Sequence, residues 1–459
     1  MTHLRVLVVS LVGLLAVLGI ENSNLISVSY DNTVYSDTEI LEMTVEALEE
    51  IVEVPIIDSR EVIMHQPLPL QVKAIYMTAC VAGTPSFRQK LITLIEETEI
   101  NSVIIDVKDF SGTISFPPES EAWKGAWQAA NCGTADMKEL IATLHSKHIF
   151  VIARVTVFQD PFYAPLRPDL AVQRASDGAV WRDHKGLSFV DVGAQEYWDH
   201  IVELVKESYN IGFDEVNFDY VRYPSDGPMN DISFPQSMVG EYKGDKQANL
   251  EAFFAYLKEA LGDETRYEAF NHQNTGRASS TPWTSADLFG MTTTNFDDLS
   301  IGQVQDRTAP YVDFVAPMVY PSHYPDSFLG LGNPNNYPYK VVNYAMQSGV
   351  NRMVSSTTPM EGFLHTPITY TNASGTVITT NQFLKPVYTA DKFRTWIQDF
   401  DYGGDYDAAD VRAQIQASYD AGVMSFMIWA PSNIYTKAAL ELESVNDLSH
   451  PNFATSTAR

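Results

Sequence analysis

Short apolar runs alternate with amphipathic stretches along most of this chain. VKAIYM precedes FRQKLITLIEET, NSVIIDVKD precedes MKELIATLHSKH, FVIARVTVF precedes AQEYWDHIVELVKESYN, and GFDEVNFDY precedes ANLEAFFAYLKEAL. The first member of each pair is short and rich in β-branched residues, as a buried strand is. The second repeats its apolar residues at helical spacing. TSADLFGM, YVDFVAPMVY, KFRTWIQDF and MSFMIWAPSN follow, which makes eight strand candidates. Repeated strand-then-helix units imply parallel strands. Eight of them predict an α/β fold, a closed (β/α)8 TIM barrel with loop insertions, over residues 71–440. No Gly-rich phosphate loop follows the first strand, which argues against a dinucleotide-binding sheet.

Side chains alternate between the two faces of a strand. In the fourth run Glu215, Asn217 and Asp219 share one face, and Val216, Phe218 and Tyr220 share the other. Helices cover the outside of a barrel with apolar residues, so the polar set is expected to point inward. Asp219 comes last and falls at the C-terminal mouth, where barrel enzymes carry their chemistry. Glu215 lies deeper and is expected to be structural. In VIIDVKDFSG, Asp106 and Lys108 are expected to share a face, with Asp109 in the loop beyond. In VIARVTVFQD, Arg154 and Thr156 share one, and Asp160 follows. Polar side chains thus converge on the ends of strands two, three and four.

Before the barrel, MTHLR and the apolar run Val6 to Ile20 form a basic start and a hydrophobic stretch. Residues 1–24 therefore read as an export signal or an uncleaved membrane anchor, with a tether through residues 6–20 in the second case. Either makes the protein extracytoplasmic. Residues 25–70 read as an acidic spacer and residues 441–459 as a tail. The sequence does not specify an oligomeric state.

The chain has 459 residues, 45% of them hydrophobic and 19% charged, enough apolar material for a large core. A formal net charge of −28 repels nucleic acid and anionic lipid and keeps an exported protein soluble. Nucleic acid is therefore excluded as a partner. The two cysteines, Cys80 and Cys132, either pair in an oxidising compartment or remain isolated thiols. No Cys/His spacing suits a metal, and neither metal nor cofactor is expected. His145 and His148 read as surface residues of the second helix. Asp106, Lys108 and Asp109 suit a salt-bridged network better than a cation site, because a lysine stands among them.

The strand ends resemble a known family. KAIYMTACVAG, VIIDVKDFSG, IARVTVFQDP with RPDLA, WRDHKGLSFVD, GFDEVNFDYVRYPSDG, SADLFGMTT with DDLSIGQ, YVDFVAPMVYPSHY, and WIQDFDYGG with APSNIYT are similar, in order, to a bacterial glycoside hydrolase (TIM-barrel) family that is largely uncharacterised. The resemblance runs from about Val72 to Lys437. It implies a glycoside-hydrolase-related barrel and a carbohydrate substrate. Two stretches depart from the family pattern. Ser355 to Thr389, with TPITYTNASGTVITTNQF, resembles an inserted β-hairpin, and EAFNHQNTGRASSTPW is an extra run before the fifth strand. Both are candidates to reshape the mouth.

Glycosidic hydrolysis uses two carboxyl groups flanking the scissile bond. In the distantly similar alpha-amylase-type barrels the nucleophile ends strand four and the acid ends strand five. By that resemblance Asp219 takes the first role and Asp287, by strand order, the second. An Asp in place of a Glu shortens the second arm and leaves the pair separation open. Arg154 and Arg222 are candidates to hold Asp219 ionised. Asn217, Asp106 and Lys108 are further substrate-binding candidates. Tyr320 ends strand six, with His323 in the loop above. Gln398 and Asp399 end strand seven, where alternation lets only one point inward. Trp429 ends strand eight and is a candidate floor for a sugar subsite, or core packing. The expectation is a glycoside hydrolase acting on a polysaccharide. The alternatives are a non-catalytic carbohydrate-binding barrel at the cell surface, or a lyase or deacetylase using the same mouth.

Overall fold

Eight parallel strands close into a barrel in the computed structural model, which describes residues 65–262 and 282–441. They are β1 (Lys73–Met77), β2 (Ser102–Lys108), β3 (Phe150–Thr156), β4 (Glu215–Asp219), β5 (Trp283–Phe289), β6 (Phe314–Met318), β7 (Thr395–Gln398) and β8 (Phe426–Trp429). Each pairs with the next in chain order, and β8 closes on β1 through Lys73–Phe426 and Ala74–Met427. The (β/α)8 architecture expected from the sequence is the one observed.

Periodicity explains the outer layer. Among the described residues six long helices pack outside the strands: α1 (Pro85–Glu96), α2 (Met137–Ser146), α3 (Gln195–Asn210), α4 (Lys246–Leu261), α5 (Pro338–Val354) and α6 (Ala408–Asp420). In α3 the buried residues Tyr197, Trp198, Ile201, Val202, Leu204, Val205 and Ser208 form one stripe at helical spacing. That stripe meets Val151, Ala153, Val155, Val216 and Phe218 in a single large core. Local signals set the helix ends. Asp245 accepts from the Ala248 N–H at the start of α4, and Asp407 and Asp410 form a reciprocal cap at the start of α6.

The inward residues divide by depth. Ala74, Ile104, Phe150, Ile152, Phe314, Ala316, Trp396 and Met427 fill the apolar interior. A buried ion pair, Glu215 with Arg394, crosses the lower barrel, with the Arg394 guanidinium 3.8 Å from the Phe314 ring centre. Glu215 is thus structural, as its depth in β4 suggested.

One strand breaks the alternation. Asp106 pairs with Arg154, but Lys108 pairs with Val155, because a bulge intervenes. Lys108 is thereby turned out of the barrel, away from the face of Asp106. Its ammonium is fully buried between wall and helices, 3.0 Å from Asp160 and 2.7 Å from the Thr156 carbonyl. Lys108 therefore shares no face with Asp106 and is sealed from any substrate.

Cys80 and Cys132 are joined in a disulfide, which links the connections that follow β1 and β2. The inserted hairpin is present as Thr366–Thr371 against Val377–Leu384, with Thr357–Thr358 as a third strand. It is anchored on the outside of the barrel: Phe363 N–H donates to Glu251 of α4 at 2.8 Å. His145 is not merely a surface residue; its Nε2 lies 3.0 Å from buried Asp214. No described helix is long and apolar enough to cross a membrane. The export segment, residues 25–64 of the spacer, the extra run up to Thr281 and the tail beyond Glu441 lie outside the described residues.

Candidate active site

Asp219 closes β4, and the backbone reverses hand immediately after it. Tyr220 has φ +50°, in the left-handed region that bulky residues rarely occupy. The turn is fastened by the Tyr220 N–H, which donates to Asp219 Oδ1. The next turn ends on Gly227 (φ +124°), where a Cβ would lie 2.6 Å from Trp181. Gly227, the last residue of the Pro-Ser-Asp-Gly turn, thus packs closely on an indole.

A guanidinium organises the acids. Arg154 of β3 donates Nε to Asp219 Oδ2 at 3.1 Å, and its Nη2 contacts the same oxygen. Its Nη1 donates to Asp106 Oδ1 at 2.6 Å. Tyr76 donates its hydroxyl to the other oxygen of Asp106. Burial opposes charge on Arg154, but the carboxylates of Asp219 and Asp106 outweigh it and hold the guanidinium charged. Burial raises the Asp106 carboxyl despite that partner.

Asp287 sits on β5 beside this network. The β4–β5 register pairs Asn217 with Ser285 and Phe218 with Ala286, and Asp219 and Asp287 are the residues that follow on the two strands. Asp287 is 1% exposed. Asn217 donates to its Oδ1 at 2.8 Å, and the Trp396 indole donates to the same oxygen at 2.7 Å. Among the described residues none bonds to its Oδ2. Burial, reinforced by the negative charge of Asp219, raises Asp287 well above the usual carboxylate range. The two carboxyls are therefore unlike: one meets a guanidinium, and the other favours its protonated form.

A cleft of about 520 Å³ opens at this mouth, bordered by Tyr76, Asp106, Arg154, Tyr220, Arg222 and Trp429, with Phe110, Asp183, Lys185 and Asp226 among its outer residues. Arg222 borders the cleft but does not ion-pair with Asp219. It lies over the Tyr220 ring at 5.1 Å and donates to the Tyr223 carbonyl. Tyr320 is buried with its ring 5.1 Å from Trp429, and burial next to Asp287 and Asp219 raises its phenol well above its ordinary range. His323 is exposed on the rim near Phe400 and Tyr402, and its partial enclosure lowers its imidazole.

Two of the strand-end candidates are turned to other uses. Gln398 is completely buried; it accepts from Ser322 N–H and Oγ and donates to the Phe400 carbonyl. It positions the His323 loop and offers nothing to a ligand. Asp399 accepts from the N–H and hydroxyl of Thr436, both at 2.7 Å, and so fastens the loop after β8. Neither borders the cleft; Asp219 and Asp287 do not line it either, and are buried beside Arg154, which does.

The structure also adds residues to the mouth. Tyr220 was expected on the outer face of β4, but its left-handed backbone brings it into the cleft wall. Tyr76 is inward on β1 by simple alternation. Phe110, Phe400 and Tyr402 lie just past strand ends; an aromatic in the first residues of a strand-following loop is the signal that marks them.

The profile of the family described as "Putative glycosyl hydrolase domain" matches residues 74–366 and 366–435. The chain belongs to this family. The two matched stretches meet at Thr366, where the inserted hairpin begins. Among solved structures, a hypothetical protein from Ruminiclostridium thermocellum is 31% identical over 41% of this chain and 92% of its own, with a TM-score of 0.36. The PgaB (BpsB) glycoside hydrolase domain from Bordetella bronchiseptica is 13% identical, covering 82% of this chain and 100% of its own at a TM-score of 0.49. An alpha-galactosidase from Thermus thermophilus is 12% identical over 82% of this chain and 65% of its own, at 0.44. A comparison with curated proteins finds no match.

Proposed function

We propose that this family member hydrolyses glycosidic bonds of a polysaccharide, with Asp287 as proton donor and Asp219 as nucleophile. One arrangement carries the reading: Asp219 and Asp287 lie on neighbouring strands, Asp219 on the Arg154 guanidinium and Asp287 buried with its carboxyl raised well above the usual range. Environments that drive paired acids apart assign acid and base roles. Two donors converge on Asp287 Oδ1, so the proton belongs on Oδ2. The positive charge of Arg154 complements Asp219 as an anion facing the developing oxocarbenium ion.

Neighbouring parallel strands lie about 4.8 Å apart. Carboxyls carried by neighbouring strands at that spacing suit the ~5 Å of retaining hydrolases better than the roughly 6.5–9.5 Å of inverting ones. Retention of anomeric configuration follows. Trp429, with Phe400 beside it, supplies aromatic faces for sugar rings.

Export is part of the same proposal. The apolar run at residues 6–20 and the Cys80–Cys132 disulfide both suit an oxidising, extracytoplasmic compartment. Mass spectrometry of the mature N-terminus distinguishes a cleaved signal from a retained anchor.

The test is release of reducing ends from a panel of polysaccharides, with Asp219→Asn alongside. Turnover should fall by about 10³-fold or more in the variant while the fold is kept. A folded wild type that binds glycan without cleaving any member of the panel would turn the reading to a binding barrel.

A further inference from the structure

A second cavity, of about 420 Å³, shares no lining residue with the cleft. It lies where three segments meet: the β5–β6 connection (Phe296, Asp306), the C-terminal turn of α5 (Arg352), and the inserted sheet (Gln382, Lys385). Its charged groups are buried. Asp306, Arg352 and Lys385 are 3%, 7% and 8% exposed. Arg352 donates Nη1 to the carbonyls of Thr292 and Asn295 and Nη2 to Asp306 Oδ2 at 2.7 Å. Its Nε is buried with no hydrogen-bond partner, and so is Asp306 Oδ1. Lys385 Nζ lies 3.6 Å from Asp306 Oδ1 and 3.4 Å from the Pro386 carbonyl, both long contacts for an ammonium. A buried donor or acceptor left unmade is costly and calls for a partner.

The cavity holds two cations against one carboxylate, in a chain whose net charge is −28. Phe296 stacks on the Arg352 guanidinium at 4.2 Å and leaves 40% of its surface exposed. The vacant valences form a pattern. Arg352 Nε and the loosely held Lys385 Nζ favour an anionic acceptor, Asp306 Oδ1, which meets only that ammonium at 3.6 Å, favours a hydroxyl donor, and Phe296 offers an apolar plate. A pyranose ring carrying a carboxylate meets all three.

We propose that this cavity is an accessory subsite for an acidic sugar residue, a uronate, held by Arg352, Lys385, Asp306 and Phe296. The sugar half of this assignment rests on the carbohydrate reading above; the anion half does not. Such a subsite would anchor an acidic polysaccharide on the barrel wall while the cleft works on another stretch of it.

The test is calorimetric titration of the full chain with glucuronic acid, with glucose and acetate as separate probes. Glucuronate is expected to bind at roughly millimolar strength, and glucose and acetate at least about tenfold more weakly. Lys385→Gln should weaken glucuronate about ten- to hundredfold, as loss of a charged hydrogen bond does. Phe296→Ala, at an exposed position that leaves folding intact, should weaken it as well. Asp219→Asn should leave it unchanged. No glucuronate binding to folded wild type, or binding that neither Lys385→Gln nor Phe296→Ala alters, would overturn the proposal. Acetate binding as tightly as glucuronate would overturn the sugar assignment. Glucuronate bound here by a protein that hydrolyses no polysaccharide would uphold the subsite and count against the enzyme.

Discussion

Trp396 and Asp287 meet across the barrel interior: the indole N–H on β7 donates to Oδ1 on β5 at 2.7 Å, past the intervening β6. A donor to a carboxyl favours its charged form, so this bond restrains the upward push that burial gives Asp287. Trp396→Phe keeps an aromatic ring in the interior and removes the donor. The proton on Asp287 should then be held more tightly. The basic limb of the pH–kcat/KM profile is expected to move up by about 0.5–1 unit, from a hydrogen bond of about 1 kcal/mol. An unmoved limb would mean that another group sets it.

Asp287→Asn should abolish turnover and raise stability. Folding lifts the Asp287 carboxyl above its unfolded value of about 4. The folded state thus binds that proton more tightly. The stabilisation is complete below about pH 4 and is lost as pH rises toward the folded value, at about 1.4 kcal/mol per unit crossed. An amide keeps the two donors on Oδ1 and has no proton to lose. Urea unfolding of wild type and variant at pH 4 and pH 7 checks this: the gap should widen at pH 7, with the variant the more stable.

Lys108→Met separates a structural role from a substrate contact. Removing the ammonium leaves Asp160 buried with Tyr197 and two backbone N–H groups but no cation. Breaking a buried pair on one side costs about 3–5 kcal/mol. Chemical denaturation should show that loss, while KM in the folded fraction stays at the wild-type value.

The Cys80–Cys132 bond spans 52 residues of sequence. Closing a loop of that size stabilises by about 4 kcal/mol in the chain-entropy account. The double variant Cys80→Ser with Cys132→Ser is expected to lose up to that amount in denaturant titrations and to keep its activity, since neither residue borders the cleft.

The barrel was legible because its signals are local and repeat. Apolar runs alternate with helical stripes, and the order of the runs is the order around the wall. Period-two counting along β4 put Glu215, Asn217 and Asp219 on the inner face, where the structure has them. The same counting failed on β2, where one extra residue between Asp106 and Lys108 flips everything after it. It failed again at Tyr220, whose backbone leaves the β region. Gln398 and Asp399 were misread for a different reason. Their partners, Ser322 and Thr436, lie far away in sequence, and nothing local announces that a strand-end carboxyl or amide is already engaged. The bridge from Arg154 to both Asp106 and Asp219 likewise depends on three strands meeting.

The left-handed step at Tyr220 has a bearing on how this protein tolerates change. In a saturation library at that position, survival should follow backbone chirality before it follows size or polarity. Glycine and asparagine adopt that hand readily, whereas valine and isoleucine resist it. The neighbouring carboxylate would be dragged off its rung by the very residues a hydrophobicity scale ranks as conservative, so the ordinary substitution tables give the wrong order here.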